Sequence, residues 1–572
     1  MHTTSVTRCL RPLSNIPISQ PQVENAIQIA SSPTSDQILK GQAIEFLNRL
    51  RTEGSAWQAC LSLFTRDPRP PEIVRHTCLD LVNNAVQEHR LDEQSLSFIK
   101  DSLLGYVRQT YSQGQGPADT AHIQNKLMQT MTYLFTALYP TSWQTFFDDF
   151  REVAGDKEAI GTANVPGTIL YLRMLGQIHD EIADVLVQRT QDEQKRNTEL
   201  KDLMRSRDVQ KIAVSWQEIL AKWRQTDLSL IEMCLRTVSK WVSWIDISLV
   251  VNEAMITSFL EMAGQQGISS ADSSEGRARD AAIDTFTEIV GKKMKPSEKI
   301  ELIVFLNLPN VVGQLIASPA LSDLRNTPDY DNDLAETVAK LVNNIVFDIV
   351  KVLDTEGVDV QSKQRAEELA QVFAPYLLRF FSDQYDEVCS TVIPSLTDLL
   401  TLFRKFRKTK GSLPPQYAAM LPPILDAIVS KMEYDDTASW GDEDEETDEA
   451  EFQELRKRLH VLQQTVAATD ESLYVETLSR VVATAFNRLS SNDQTLTWRD
   501  LDLALHEMYL FGELTVKNQG LYQKRDPSSA AGQRLAEMMS TLVDSGWYFD
   551  FPHSTYLTNF QISRTTLTLL FN

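Results

Sequence analysis

The sequence predicts an all-α fold, an α-solenoid of degenerate HEAT-type helical hairpins. Apolar residues recur at helical spacing along almost the whole chain, and the strict apolar–polar alternation that is typical of strands is rare. Glycine and proline are sparse, at 21 and 22 of 572 residues, whereas a β-rich fold needs many turn residues. The chain also exceeds the ~250–300 residues at which a single hydrophobic core stops growing. A stack of repeats, each touching only its neighbours, suits this length.

The first helical hairpins occupy residues 23–86. In their second and fourth helices the apolar residues share one face. These residues are Leu39, Ala43, Phe46, Leu47 and Leu50, and then Val74, Cys78, Leu81, Val82 and Ala85. A helix that buries only one stripe needs neighbouring helices, so we expect each hairpin to stack between others. Cys60 and Cys78 fall on apolar stripes, which predicts that both are core thiols.

Helix starts further along the chain can be placed from proline and aspartate. The pair of prolines at 70–71 precedes one helix and Pro296 opens another, since proline in a first turn loses no hydrogen bond. Asp333 is the expected N-cap of a helix over 334–353. Between recurring breaks, each pair of helices takes about 35–50 residues, as degenerate HEAT-type repeats do.

These breaks predict the domain organisation. An N-terminal extension is expected to be disordered because its prolines interrupt any long helix. The predicted segments are the extension at 1–20, N-terminal HEAT repeats at 21–151, central repeats at 152–433, an acidic loop at 434–451, further repeats at 452–553 and a tail at 554–572.

Sequence motifs for catalysis and cofactor binding are missing. The chain contains no Walker-type loop, GxGxxG turn, HExxH or GxSxG. Its five cysteines are widely spaced with no CxxC pair, which argues against a disulfide framework or structural zinc. No apolar run reaches the ~18–20 residues of a membrane span. We therefore predict no enzyme activity, no cofactor, no metal and no membrane insertion.

An acidic segment lies at 435–451, where 10 of 17 residues are acidic. Like charges this dense oppose helix formation and predict a flexible loop. Its central run is Asp442, Glu443, Asp444, Glu445 and Glu446. Two interpretations remain open: a solubilising loop, or an acidic clamp for a basic partner. Trp440 within the segment is unusual for a merely solvated run.

A basic run follows Phe403 and surrounds Phe406. Its cations are Arg404, Lys405, Arg407, Lys408 and Lys410. On a helix both phenylalanines would dock inward and the cations would fan outward, a geometry suited to phosphate contacts. A nuclear localisation signal and a solvated helix end are the alternatives. Lys201, Arg205, Arg207 and Lys211 form a weaker second cluster.

Several short blocks carry a family resemblance. They are 23–27, 42–46, 57–61 and 74–84, then Tyr139-Pro140 with Trp143 and Phe146-Phe147, and finally 434–456 with its acidic run. Together they resemble the karyopherin-β superfamily and, within it, the exportin-T family of tRNA exporters, particularly its fungal members.

This resemblance implies a HEAT solenoid that binds Ran in its GTP form and mature tRNA together in the nucleus. Hydrolysis of GTP on Ran in the cytoplasm would release both. Such a receptor shuttles between nucleus and cytoplasm as a monomer and contacts nucleoporins of the nuclear pore. The alternative is a HEAT scaffold for proteins, or another transport receptor without RNA cargo.

The resemblance also suggests where the partners bind. The N-terminal contact with Ran maps onto residues 74–86, with Asp80, Asn83 and Asn84 as candidates. The acidic run at 442–446 is a second candidate contact with Ran, since a net charge of −23 attracts a partner with basic surfaces. The basic run at 404–410 is the candidate contact with tRNA, whose grooves are read by shape and phosphate position.

The end of the chain departs from the family pattern. Exportin-T chains are substantially longer, and the resemblance stops near Phe551-Pro552-His553. Residues 554–572 contain one charged residue, Arg564. From this change we expect a truncated or mis-spliced gene product that lacks the family's C-terminal contacts.

Overall fold

The computed structural model describes residues 18–88, 91–112, 119–155, 164–265, 268, 272–435, 446–491, 493–517 and 530–544. All regular structure in these ranges is helical. The chain forms two compact units. Unit 1 comprises Met1–Gln265 and Asp272–Ile289, and unit 2 comprises Gln266–Ala271 and Val290–Asn572.

Unit 1 is built from helix pairs. Its helices are α1 (Gln20–Ser31), α2 (Gln37–Thr52), α3 (Ala56–Phe64), α4 (Glu72–Gln87), α5 (Glu93–Tyr111), α6 (Ala121–Leu138), α7 (Phe146–Ala154), α8 (Val165–Ile182), α9 (Gln191–Arg207), α10 (Val209–Trp223), α11 (Leu228–Val242), the 3-10 turn Ile247–Leu249, α12 (Glu253–Ala263) and α13 (Ser274–Gly291). The second helices of successive pairs pack on one another in turn, α4 on α6, α6 on α8 and α8 on α11. This is the stacking that the one-sided apolar stripes predict.

The predicted apolar stripes of the first hairpins are buried. Ala43, Phe46 and Leu50 of α2 are in the core, as are Val74 and Cys78 of α4. Helix α4 begins directly after the proline pair, as predicted. Both predicted core thiols, at 60 and 78, are buried.

A buried carboxylate ties α4, α5 and α6 together. Asp119 stands just before α6, and its side chain has 0% exposure. Tyr106 and Tyr111 of α5 donate their hydroxyls to its Oδ2 at 2.7 and 2.8 Å. Arg75 of α4 donates to its Oδ1 at 2.7 Å. Burial and the adjacent carboxylate raise the pKa of Tyr106 to about 12, so this hydroxyl keeps its proton and remains a donor.

An aromatic cluster connects α6 with α7. Phe135 lies 4.8 Å from Phe146 and 5.6 Å from Phe147, ring centre to ring centre. Trp143 packs edge-on against Phe146 at 4.6 Å. Tyr139 donates its hydroxyl to Asp208 at 2.6 Å. The Tyr-Pro and Trp pattern noted in the sequence therefore forms a packing unit at the turn between two helices.

Unit 2 continues the same architecture. Its helices are α14 (Pro296–Phe305), α15 (Leu308–Ile316), α16 (Asn332–Asp354), α17 (Val360–Phe381), α18 (Asp386–Lys410), α19 (Pro415–Ala418), α20 (Leu421–Lys431), α21 (Glu446–Thr469), α22 (Glu471–Ser490), α23 (Trp498–Lys517) and α24 (Ala530–Asp544). Here α16 packs on α17 and α18, and α18 packs on α21.

Three sequence-based boundaries can be compared with these helices. Pro296 opens α14 as predicted. The predicted N-cap Asp333 is wrong, because α16 begins at Asn332 and Asp331 accepts the Leu334 amide at 2.9 Å. Helix α21 begins at Glu446, inside the segment predicted as an acidic loop. The terminal ranges 1–17 and 545–572 lie outside the described residues.

No single helix in the described ranges is long and apolar enough to cross a membrane. Only α14 and α15 taken together reach that length and apolarity, and their axes bend by 54°.

A buried acid–amide contact joins α21 to α23. The Gln463 amide nitrogen donates to Oε2 of Glu507 at 2.6 Å, and neither side chain is exposed. The remaining oxygens, Gln463 Oε1 and Glu507 Oε1, have no hydrogen-bond partner among the described residues. Burial raises the pKa of Glu507 to about 7. A proton on this carboxyl lets it donate to the amide oxygen, which would satisfy both atoms.

We predict that Asp119→Asn lowers the free energy of unfolding by about 3–5 kcal/mol, because it leaves the buried Arg75 guanidinium without a counter-charge. Urea denaturation followed by circular dichroism measures this. The control is Asp101→Asn, at a carboxylate 70% exposed beside Lys100 on α5. Equal unfolding midpoints for the two variants would contradict the prediction.

A second prediction concerns pH. Folding raises the pKa of Glu507 from 4.5 to about 7. Protonated Glu507 therefore makes its full contribution to the free energy of unfolding below about pH 4.5. That contribution, about 3 kcal/mol, is lost as the pH rises to 7. The neutral variant Glu507→Gln should therefore melt at a higher temperature than the parent at pH 8, and at a similar temperature at pH 5. The exposed Glu476→Gln on α22 serves as the control, and an identical pH profile for both variants would refute the assignment.

Candidate binding surfaces

Asp80, on α4, is an ion-pair centre between three helices. Its carboxylate accepts from Arg51 of α2 at 2.9 Å and from Lys126 of α6 at 3.0 Å. Partial burial raises the pKa of this carboxyl, but the hydrogen bonds and charges of Lys126 and Arg51 outweigh that effect and hold the pKa below its usual value. Asp80 is therefore ionised, partly exposed and already paired within unit 1.

The two neighbouring asparagines differ in their surroundings. Asn83 is 2% exposed, and its amide donates to the Thr130 hydroxyl of α6 at 3.1 Å. Its side chain is part of the packing between α4 and α6. Asn84 is half-buried and faces solvent in part. Of the three predicted residues on α4, only Asp80 and Asn84 offer side-chain atoms to a partner.

The predicted acidic run lies almost entirely outside the described residues. Asp442, Glu443, Asp444 and Glu445 fall in that gap, as does Trp440. Glu446 is the first residue of α21.

The basic end of α18 consists of Arg404, Lys405, Arg407, Lys408 and Lys410, all exposed. Beneath them Phe403 is buried and Phe406 half-buried, and their rings lie 5.1 and 5.5 Å from the Tyr417 ring. The predicted inward docking of both phenylalanines is thus confirmed. The helix ends at Gly411, whose φ of 76° is left-handed. Cations in the last turn also offset the negative end of the helix dipole.

The five cations are not equivalent. Lys405 forms an ion pair with Asp354 of α16. Arg407 donates to the Gly411 carbonyl at 2.9 Å, and the Lys410 amine lies 4.7 Å from the centre of the Phe406 ring. Arg404 and Lys408 make no hydrogen bond or ion pair within the described part of the chain. They are four residues apart, hence on one face of the helix, where both can meet neighbouring phosphates.

The second basic cluster is largely engaged within unit 1. Lys211 pairs with Asp148 at 2.9 Å and with Asp208 at 3.4 Å. Arg205 donates to the Trp244 carbonyl at 2.9 Å. These cations stabilise unit 1 and are weaker candidates for an external anion.

Two further cysteines belong to the core. Cys234 and Cys389 are buried, and burial raises the pKa of both thiols, that of Cys389 to about 12. Among the residues that the structure describes, no group of three or more His, Cys, Asp or Glu side chains could hold a metal ion.

Comparison with known proteins finds similarity to exportins. Residues 360–563 match the Exportin-T family model, and residues 120–286 match that of Exportin 1-like protein. Exportin-T of Phaeosphaeria nodorum is 70% identical over 532 residues, which cover 93% of this chain and 51% of the relative. Over that half, the chain is similar in sequence to exportin-T. Exportin-T of Chaetomium globosum is 56% identical over 526 residues, which cover 92% of this chain and 50% of the relative.

The chain spans about half the length of these curated exportin-T relatives. A solved structure, "Importin13 cytosolic state", is similar in fold, with a TM-score of 0.54 at 13% identity over 79% of this chain and 49% of that one. The predicted all-α solenoid is confirmed. Both the basic end of α18 and the acidic segment fall within the range that matches the Exportin-T model.

Sequence reasoning missed the contribution of α16 to this surface. Asp354 lies 51 residues before Lys405, so no local pattern connects them. Phe347 and Lys351 on α16 are exposed and four residues apart. This spacing, near the end of the helix predicted over 334–353, was the sequence signal that could have pointed to α16.

Proposed function

We propose that this chain acts in a nuclear export receptor for tRNA, binding mature tRNA cooperatively with Ran-GTP in the nucleus and releasing both in the cytoplasm after GTP hydrolysis on Ran. The observation that carries the proposal is the pair of exposed cations, Arg404 and Lys408, within the stretch that matches the Exportin-T model.

Binding of tRNA at the basic end of α18 follows from its charge and rigidity. The docked aromatic rings fix the backbone of the helix end from which the cations project. The net charge of −23 disfavours nucleic acid over most of the molecule. A local cationic surface therefore selects where a phosphate backbone can lie, and it does so without reading base sequence.

Binding of Ran-GTP is proposed at two acidic places. One is the exposed part of α4 at Asp80 and Asn84, and the other is the run 442–446. Ran is a partner with basic surfaces, and complementary charge speeds the encounter. A solenoid curvature that suits both ligands would make each raise the affinity of the other.

The finer consequences belong to the same proposal. The chain would bind and release its ligands without catalysis, and it would shuttle between nucleus and cytoplasm through contacts with nucleoporins. We infer that it does so as a monomer. The chain covers about half the length of an exportin-T relative, and the proposed activity is that of this half.

A protein scaffold without RNA cargo is the alternative. Three of the five cations, Lys405, Arg407 and Lys410, make contacts within the chain. A purely structural role for this helix end would leave Arg404 and Lys408 as ordinary solvated charges.

We predict that the double variant Arg404→Gln with Lys408→Gln weakens tRNA binding and lowers the slope of log K against log salt by about two, because two phosphate contacts are lost. Fluorescence anisotropy of labelled mature tRNA, with and without GTP-loaded Ran, measures both quantities. The control pair is Lys457→Gln with Arg480→Gln, which removes two exposed cations already paired to carboxylates. Equal effects of the two pairs, or tRNA binding indifferent to Ran, would overturn the export function.

A further prediction tests the acidic run. Replacing residues 442–446 by Asn and Gln should slow association with Ran-GTP, most strongly at low salt, and change dissociation little. Surface plasmon resonance at two salt concentrations measures both rates. Neutralising exposed acidic residues of unit 1, Glu45 and Glu53, is the control. Unchanged association rates for the first variant would favour the solubilising loop.

A further inference from the structure

An exposed phenylalanine lies on α16 beside the basic end of α18. Phe347 is 46% exposed, whereas its neighbours Val346, Ile349 and Val350 are buried in the core of unit 2. Part of the ring is therefore open to a ligand, and its surroundings decide what it can bind.

Two side-chain ties set the register of α16 against α18. The Ser395 amide donates to the Asn343 side chain at 3.1 Å, and Lys405 forms the ion pair with Asp354. Asn343 and Asp354 are 11 residues apart on α16, and Ser395 and Lys405 are 10 apart on α18. The two helices therefore run side by side in the same direction. Residue 347 lies opposite the stretch of α18 that leads into the basic end.

Lys351 extends this surface. It is exposed, it lies four residues after Phe347 and hence on the same helical face, and it makes no ion pair among the described residues. By the register it lies one turn before the Asp354–Lys405 pair. Arg404 and Lys408 lie further along α18, so cations of both helices follow the ring in the direction of the basic end.

The combination of a ring and cations has a specific chemical use. Phosphates alone require only cations, whereas an exposed ring beside cations suits an unpaired base stacked next to its backbone. Asp398, half-buried on the stretch of α18 opposite Phe347, fits this placement, because a carboxylate can accept from a base amino group and repels phosphate.

We propose that Phe347 and Lys351 complete the RNA-binding surface at the basic end of α18, with Phe347 stacking on an unpaired base and Lys351, Arg404 and Lys408 holding the adjoining phosphates. The inference rests on the proposed RNA-binding function and adds to it that this surface distinguishes single-stranded from fully paired RNA.

A second exposed phenylalanine in unit 2 supplies the matched control. Phe305, the last residue of α14, is 68% exposed. The residue one turn before it on the same face is Glu301, an exposed acid. A carboxylate in that place repels phosphate, so we expect Phe305 not to contribute to RNA binding.

The test compares Phe347→Ala, Phe347→Trp and Phe305→Ala by anisotropy with two probes, mature tRNA and a blunt, fully paired RNA duplex. Phe347→Ala should weaken tRNA binding by about five- to hundred-fold, the range for one lost base–aromatic stack, without changing the salt slope. Phe347→Trp should retain affinity, and Phe305→Ala should have no effect. The paired duplex should bind Phe347→Ala and the parent equally.

Lys351→Gln should lower the salt slope by about one, as loss of one phosphate contact requires. The inference is overturned if Phe347→Ala behaves like Phe305→Ala, or if it weakens the paired duplex as much as tRNA. If only the Arg404 and Lys408 pair matters, the proposed function stands and this inference fails. If neither variant changes tRNA binding, the proposed function itself fails. Thermal melting of each variant verifies that the fold is retained.

Discussion

The packing of each second helix against the next fixes the candidate surfaces on α4 and α18. Apolar stripes supply the driving force, and side-chain ties set the register. In unit 1, Lys240 of α11 pairs with Asp180 of α8 at 2.8 Å, and Arg277 of α13 pairs with Glu232 of α11 at 2.9 Å. Because a repeat touches only its neighbours, losing one tie disturbs one joint rather than the whole stack. The buried Asp119 carboxylate is the most heavily bonded of these joints.

Much of this architecture was readable from the sequence, since helical periodicity is a local property. The spacing of Phe403 and Phe406 also predicted correctly which side of α18 is buried. Long-range pairing was not readable. Asn83 reads as a surface residue, yet it bonds to Thr130, 47 positions later. The misplaced N-cap at Asp333 has a similar cause, because two aspartates compete within one turn and only the backbone decides between them.

Many cations of the described residues are paired with carboxylates, and others are not. A chain with 78 acidic and 55 basic residues can neutralise most of its lysines and arginines internally. The second basic cluster, around Lys211, follows that pattern, and so does Lys405. Arg404 and Lys408 differ from Lys405 because no ion pair with a described carboxylate cancels their charge, and residue counting along the basic run could not reveal this difference.

The two ties between α16 and α18 have a mechanical consequence. Two contacts 10 or 11 residues apart, added to the packing between the helices, oppose pivoting of one helix against the other. Any flexing of the repeats in unit 2 must then be taken up at other joints. The distance between the exposed ring on α16 and the cations on α18 would then stay nearly constant when other repeats of unit 2 move.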